Sequence, residues 1–179
     1  MRACLDACVL VPTALRGILL RMAEADAFEP IWSDRIFEEW RRADMRLHPD
    51  AEAVLGATQA LLRDRWRDAS IVENTELEDR IALPDADDRH VLATAVLGQA
   101  DILVTANLRD FPLAATSRFG IALRHPDAFL LELLEVWRDP VQGAVDEEYR
   151  LAMNVTKQTF SKRAFLKRIG LPRTAKALL

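Results

Sequence analysis

The chain is 179 residues long and half hydrophobic, with 24 Lys and Arg against 28 Asp and Glu, which fits one ordinary domain with its own core and excludes disordered and fibrous classes. No uncharged apolar stretch is long enough to cross a bilayer. Asp6 and Pro12 interrupt the N-terminal apolar run, with no small-residue cleavage pattern behind it, so neither membrane span nor secretory signal is expected and the cytoplasm is the expected location.

The formal net charge of −4 hides a division: residues 149–179 hold eight basic and no acidic side chains, and removing that +8 from −4 leaves −12 for residues 1–148. A basic tail on an acidic body suits a polyanion partner, docking of the tail on the body, or a solvated helical face.

In chain order, an apolar first strand is expected over residues 3–11. Cys4 and Cys8 would share one of its sides, as buried small hydrophobes without a disulfide. Leu15, Ile18, Leu19, Met22 and Ala23 recur at helical offsets. A second short strand falls at 30–32, then a helix through RIFEEWRRADM capped by Ser33 or Asp34, with Ile36, Phe37 and Trp40 toward the core, ending at His48-Pro49. Residues 50–67 resume helical spacing through Val54, Ala57, Leu61 and Leu62, and Ile71-Val72 reads as a third strand. A helix opens at Leu83-Pro84-Asp85 with Val91, Leu92, Ala95 and Val96 buried, a fourth strand covers 101–105, and a last short one covers 120–124. An apolar helix follows through Phe129, Leu130, Leu133, Leu134 and Trp137, broken at Asp139-Pro140, and then two or three short helices. The alternation predicts a three-layer α/β/α domain with a mainly parallel sheet over residues 1–125, and a basic helical extension over 126–179 packed on or following it.

Acidic residues fall where such a sheet presents ligands: Asp6 in the first strand, Asp85, Asp87 and Asp88 at a helix start, and Asn107 and Asp110 past the fourth strand. A charge in an apolar strand costs several kcal/mol, in order of magnitude, unless partnered, which makes Asp6 the sharpest signal; a structural ion pair or cap is the plain alternative. One of the three helix-start Asp residues is expected only to cap, with Asp85 and Asp88 sharing a face, while Asn107 and Asp110 also suit a simple turn. Of Glu38 and Glu39, Glu39 lies beside Trp40 and is expected to turn inward. Converging carboxylates repel one another without a cation between them, and oxygen donors suit Mg²⁺ or Mn²⁺, which points to metal-assisted phosphodiester cleavage. Zinc is not supported, because His48, His90 and His125 are isolated in sequence.

At DACVLVP, SDRIFEEW, DDRHVLATA and LVTANLRDF, four motifs in order over about residues 1–125, the chain resembles the PIN-domain family of metal-dependent ribonucleases. The resemblance implies an acidic metal cluster of Asp6, Glu39, Asp88 and Asp110, with metal ligation by Asp6, Asp88 and Asp110 and support from Asn107 and Asp85. It implies an RNA substrate and, since many bacterial members are VapC-like toxins of toxin–antitoxin pairs, a cognate antitoxin protein; a homodimer is compatible. Cys8 departs from the small hydroxyl or amide side chain that often stands two positions after the first Asp. In the tail, Lys162, Arg163, Lys167 and Arg168 are candidate phosphate contacts, with Phe160 or Phe165 available for packing or base stacking.

Two other readings stay open. A phospho-aspartate protein also gathers Asp at strand ends, but Asp6 is followed by Ala7 and Cys8 rather than completing Asp-x-Asp, and Arg109 follows the fourth strand where a receiver would want Lys. A binding module would keep the acidic pocket and act through a protein partner.

Overall fold

Arg2–Leu5 forms strand β1, and the register of its neighbours fixes the rest of the sheet. The computed structural model describes residues 1–179. After β1 come α1 (Ala7–Leu10), α2 (Thr13–Glu24), β2 (Glu29–Ile31), α3 (Asp34–Leu47), α4 (Glu52–Arg65), α5 (Thr75–Arg80), α6 (Arg89–Leu97), β3 (Ile102–Val104), α7 (Leu113–Ser117) and β4 (Ala122–Arg124). Helices α8 (Pro126–Val136), α9 (Arg138–Thr156), α10 (Lys162–Arg168) and α11 (Pro172–Leu178) complete the chain. The four strands are parallel in the order β2-β1-β3-β4, with Cys4 opposite Ile31 on one side and Leu103 on the other. The chain leaves β1 in one direction to make β2 and returns past it to make β3, so right-handed crossovers place helices on both faces of the sheet. This is the three-layer arrangement expected. The same reversal opens a crevice between the carboxyl ends of β1 and β3, where open sheets bind ligands.

The apolar stripe of α2 is buried residue for residue: Leu15, Ile18, Leu19, Met22 and Ala23. Ser33 caps α3, its hydroxyl accepting from Ile36 N at 3.3 Å, and Ile36, Phe37 and Trp40 go inward.

Five expectations need correction. The break expected at Asp139-Pro140 falls at Trp137, and Arg138–Thr156 is one 19-residue helix that takes Pro140 into its first turn, where the missing N–H costs no helical bond. The strand expected over 3–11 stops at Leu5, and Ala7–Leu10 turns as a short helix, so Cys4 and Cys8 do not share a strand face. A short apolar run reads alike as strand or buried helix, and the alternation of side chains is too brief here to decide. Ile71-Val72 makes no strand; one parallel bridge joins Trp32 to Ser70, and Val72 is exposed. The helix expected from Leu83 begins at Arg89, because Asp85 Oδ1 accepts from Asp87 N at 2.9 Å and holds a turn that competes with helix. In α4 the helix stands but its face is rotated, burying Leu55, Gln59 and Leu62 and exposing Val54 and Leu61. Gln59 is drawn in by a polar contact that hydropathy does not register, donating to Phe37 O at 2.8 Å.

One apolar core runs from Ala3 and Leu5 through Phe129 and Val145 to Phe165, Leu171 and Ala175. Helix α9 lies against α2 at Gly17, where a Cβ would stand 2.3 Å from the Glu148 carboxyl. That carboxyl pairs with Arg21 Nε at 3.1 Å, and burial raises its pKa against the pull of Arg21. Asp127, buried in α8, accepts from Arg173 N and Thr174 N, both at 2.8 Å, and from Thr174 Oγ1 at 2.7 Å, which ties down the start of α11. Phe165 is buried against Tyr149 and Phe160, so its ring serves packing, while Phe160 is half-buried beside it. No helix is long and apolar enough to cross a membrane.

Candidate functional site

Asp6 is the first residue past β1 and Thr105 the first past β3, and the Leu5–Val104 register sets them side by side. Thr105 Oγ1 donates to Asp6 Oδ2 at 2.6 Å and accepts from Asn107 N at 3.0 Å. The Cys8 thiol adds a second donor to Asp6 Oδ2 at 3.1 Å, while its sulfur accepts from Ala106 N at 3.2 Å. Burial, then the charge of Asp6, pushes the Cys8 pKa up to about 12, so the sulfur keeps its proton and serves as a weak donor. Asp6 is 5% exposed and has no cationic partner; neutral donors hold it, not an ion pair.

Asp88 stands at the start of α6, half-buried, without making a side-chain cap. Its carboxyl is pushed up to about 6, first by burial and then by the charges of Asp6, Asp110, Asp85 and Glu39. Those five acidic groups therefore act on one region, and none of Asp6, Asp85, Asp88 and Asp110 pairs with Lys or Arg.

Glu39 projects from α3, where its Oε1 accepts from His90 Nε2 at 2.7 Å. The other ring nitrogen of His90, Nδ1, is buried without a partner, so the Glu39 contact is the ring's one hydrogen bond. Glu38 turns away, bound to Arg41 at 2.7 Å and Arg42 at 2.8 Å. The inward choice between the two is thus made by His90, a residue whose isolation in sequence concealed it. His90 and Glu39 are 51 positions apart, and no spacing rule links them.

Asp6, Glu39, Asp88 and Asn107 line one open cavity of about 310 Å³, rimmed on α3 by Arg42 and Arg46. Asp110 is not among its lining residues; it is half-buried in the turn Leu108–Asp110 and reaches Asp88 through its charge. Asp85 is exposed and holds the turn before α6, so the three-residue spacing that would share a helical face with Asp88 does not operate. Of the tail residues, Lys162 pairs with Asp146, whereas Arg163, Lys167 and Arg168 are exposed.

The donor set fits a hard cation. Its oxygens are carboxylate and amide, and burial, then the neighbouring carboxylates, raise the pKa of Asp88. No group of three or more His, Cys, Asp or Glu closes tightly enough to cage a metal ion alone.

Comparison with known proteins agrees with this geometry. The family described as PIN domain matches residues 2–109. Over 58 residues the chain is 41% identical to a Mycobacterium tuberculosis protein named "Putative ribonuclease VapC50", a stretch covering 32% of this chain and 34% of that one. The shared stretch is thus about a third of the relative's length. No solved structure matches. The strand order, the acidic crevice at β1 and β3, and a family match over more than half its length establish that the chain belongs to the PIN-domain family.

Proposed function

We propose that the chain is a Mg²⁺- or Mn²⁺-dependent endoribonuclease, the toxin of a toxin–antitoxin pair, working in the cytoplasm on RNA and bound by a cognate antitoxin. The observation that carries this reading is the cavity where Asp6, Glu39, Asp88 and Asn107 converge from distant segments with no cation on the carboxylates of Asp6 and Asp88. Family membership supports it, as does likeness to a protein whose name describes a ribonuclease.

Asp6 and Asp88 would hold the metal, with Asp110 and Glu39 completing or orienting its shell and Asn107 and Asp85 in support. When bound, the cation supplies positive charge that polarises the attacking water and offsets charge growing on the phosphoryl oxygens. Asp6 keeps a fixed rotamer because Thr105 and Cys8 hold Oδ2, leaving Oδ1 without a protein donor. His90 holds Glu39 by one oxygen and leaves the other to accept from water. Water would form the new P–O bond, the P–O bond to one ribose oxygen would break, that oxygen would leave as a hydroxyl after taking up a proton from solvent, and no bond would form to the protein.

Residues 1–125 would form the nuclease unit, with 126–179 as an extension seated on it. Arg163, Lys167 and Arg168, with Lys162 less available beside Asp146, would contact RNA phosphates. A homodimer is compatible with this arrangement. The test is cleavage of single-stranded RNA with Mn²⁺, before and after chelation, by the wild-type protein and by Asp88→Asn. Cleavage abolished by both chelation and the substitution is expected; cleavage that survives both removes the proposal.

A further inference from the structure

Helix α3 carries more than Glu39 into the cavity. Arg42, Ala43 and Arg46 line the same wall, three, four and seven positions further on, so Glu39 and the two arginines share one helical face. The two arginines differ in their surroundings. Arg42 is held by Glu38 at 2.8 Å, and that carboxyl, bonded to Arg41 and Arg42, is depressed to about 2 and remains charged. Arg46 is exposed, forms no ion pair, and is the only cation lining the cavity that lacks a carboxylate partner.

An RNA strand entering this cavity meets several carboxylates at once, and neutralising the centre leaves the neighbouring phosphates still facing acidic protein. Arginine is the side chain suited to that charge, because its planar fork takes two phosphate oxygens together and cannot lose its proton. Seven residues of helix at about 1.5 Å each carry the Arg46 backbone about 10 Å along the axis from Glu39, so its guanidinium addresses a different phosphate from the one beside the carboxylates. Ala43, on the same wall, adds only a methyl group between them.

We propose that Arg46 binds a non-scissile phosphate of single-stranded RNA flanking the cleaved bond, fixing the strand's register over the acidic centre, with Arg42 as a weaker neighbour. The inference rests on the nuclease reading and names the substrate feature that reading leaves open. Arg46 also sits in the last turn of α3, where a cation favours the helix terminus. A residue with that role alone would alter melting and leave RNA binding untouched.

The experiment uses the full chain and a fluorescein-labelled single-stranded oligoribonucleotide. Anisotropy is measured without added metal over a range of KCl for Asp88→Asn, which blocks cleavage and removes one of the central charges, with and without Arg46→Gln or Arg46→Lys. KM and kcat are measured in the otherwise wild-type chain. Arg46→Gln is expected to weaken binding about tenfold, lower the salt slope by about 0.7, and raise KM more than it lowers kcat. Arg46→Lys is expected to restore the slope but only part of the affinity. If the wild-type chain cleaves RNA while Arg46→Gln changes neither slope nor KM, the role of Arg46 is overturned and the nuclease reading stands. If the wild-type chain neither cleaves nor binds RNA, both fall.

Discussion

Thr105 donates to Asp6 across 99 positions of sequence at 2.6 Å, joining the ends of two adjacent parallel strands at the crevice. The bond orients a carboxylate that has almost no contact with solvent. Thr105→Val keeps the shape and removes the donor, so Asp6 retains only the weak thiol of Cys8. Chemical denaturation is expected to show a loss of about 1–3 kcal/mol, and single-turnover cleavage a rate at least about tenfold lower, with Thr105→Ser close to wild type.

Asp88 gives a prediction of opposite sign for stability. Its folded pKa of about 6 lies above its ordinary value of 3.8, so the folded state holds this proton more tightly than the unfolded chain does. The associated stability is present below about pH 4, is lost as pH rises toward 6, and stays lost above. Without metal, Asp88→Asn is therefore expected to melt like wild type at pH 4 and higher than wild type at pH 7.5, by on the order of 1 kcal/mol after allowing for solvent screening. Added Mn²⁺ at pH 7.5 should raise the wild-type melting temperature and leave Asp88→Asn nearly unmoved. Wild-type cleavage at fixed Mn²⁺ should climb between pH 5 and 8 as the ligands deprotonate.

His90 acts through Glu39 in this account. His90→Phe removes the donor at Nε2, and Mn²⁺ affinity or cleavage is expected to fall about ten- to hundredfold. The check is a double-mutant cycle with Glu39→Gln. In that background His90→Phe should cost little more, because the partner it positions is already altered.

The sequence displayed the fold wherever a pattern ran long enough to be counted. The α2 stripe and the inward face of α3 were readable from spacing, while the grouping of Glu39 and Asn107 with Asp6 and Asp88, which line one cavity, followed from the family resemblance. What escaped reading depends on contacts between distant segments or on local competition. The end of β1 at Leu5 is ambiguous in a short apolar run, and the delayed start of α6 follows from a turn bonded by Asp85. The rotated α4 follows from Gln59 reaching Phe37. His90 and Thr105 carry no local signature, because their meaning lies in residues 51 and 99 positions away.

Asp127 tests how the extension is held. Asp127→Ala strips the acceptor from Arg173 N and from both the backbone and hydroxyl of Thr174, in a buried setting. A loss of about 2–4 kcal/mol is expected by denaturant melting, with limited proteolysis opening first near α11.

The central claim is that side chains brought from separate segments share one cation. Calorimetric titration of the apo chain with Mn²⁺, repeated on Asp6→Asn, Asp88→Asn and Asp110→Asn, addresses it directly. One class of site that each substitution weakens is the predicted result; Mn²⁺ affinity unchanged by all three, in proteins that remain folded, would contradict it.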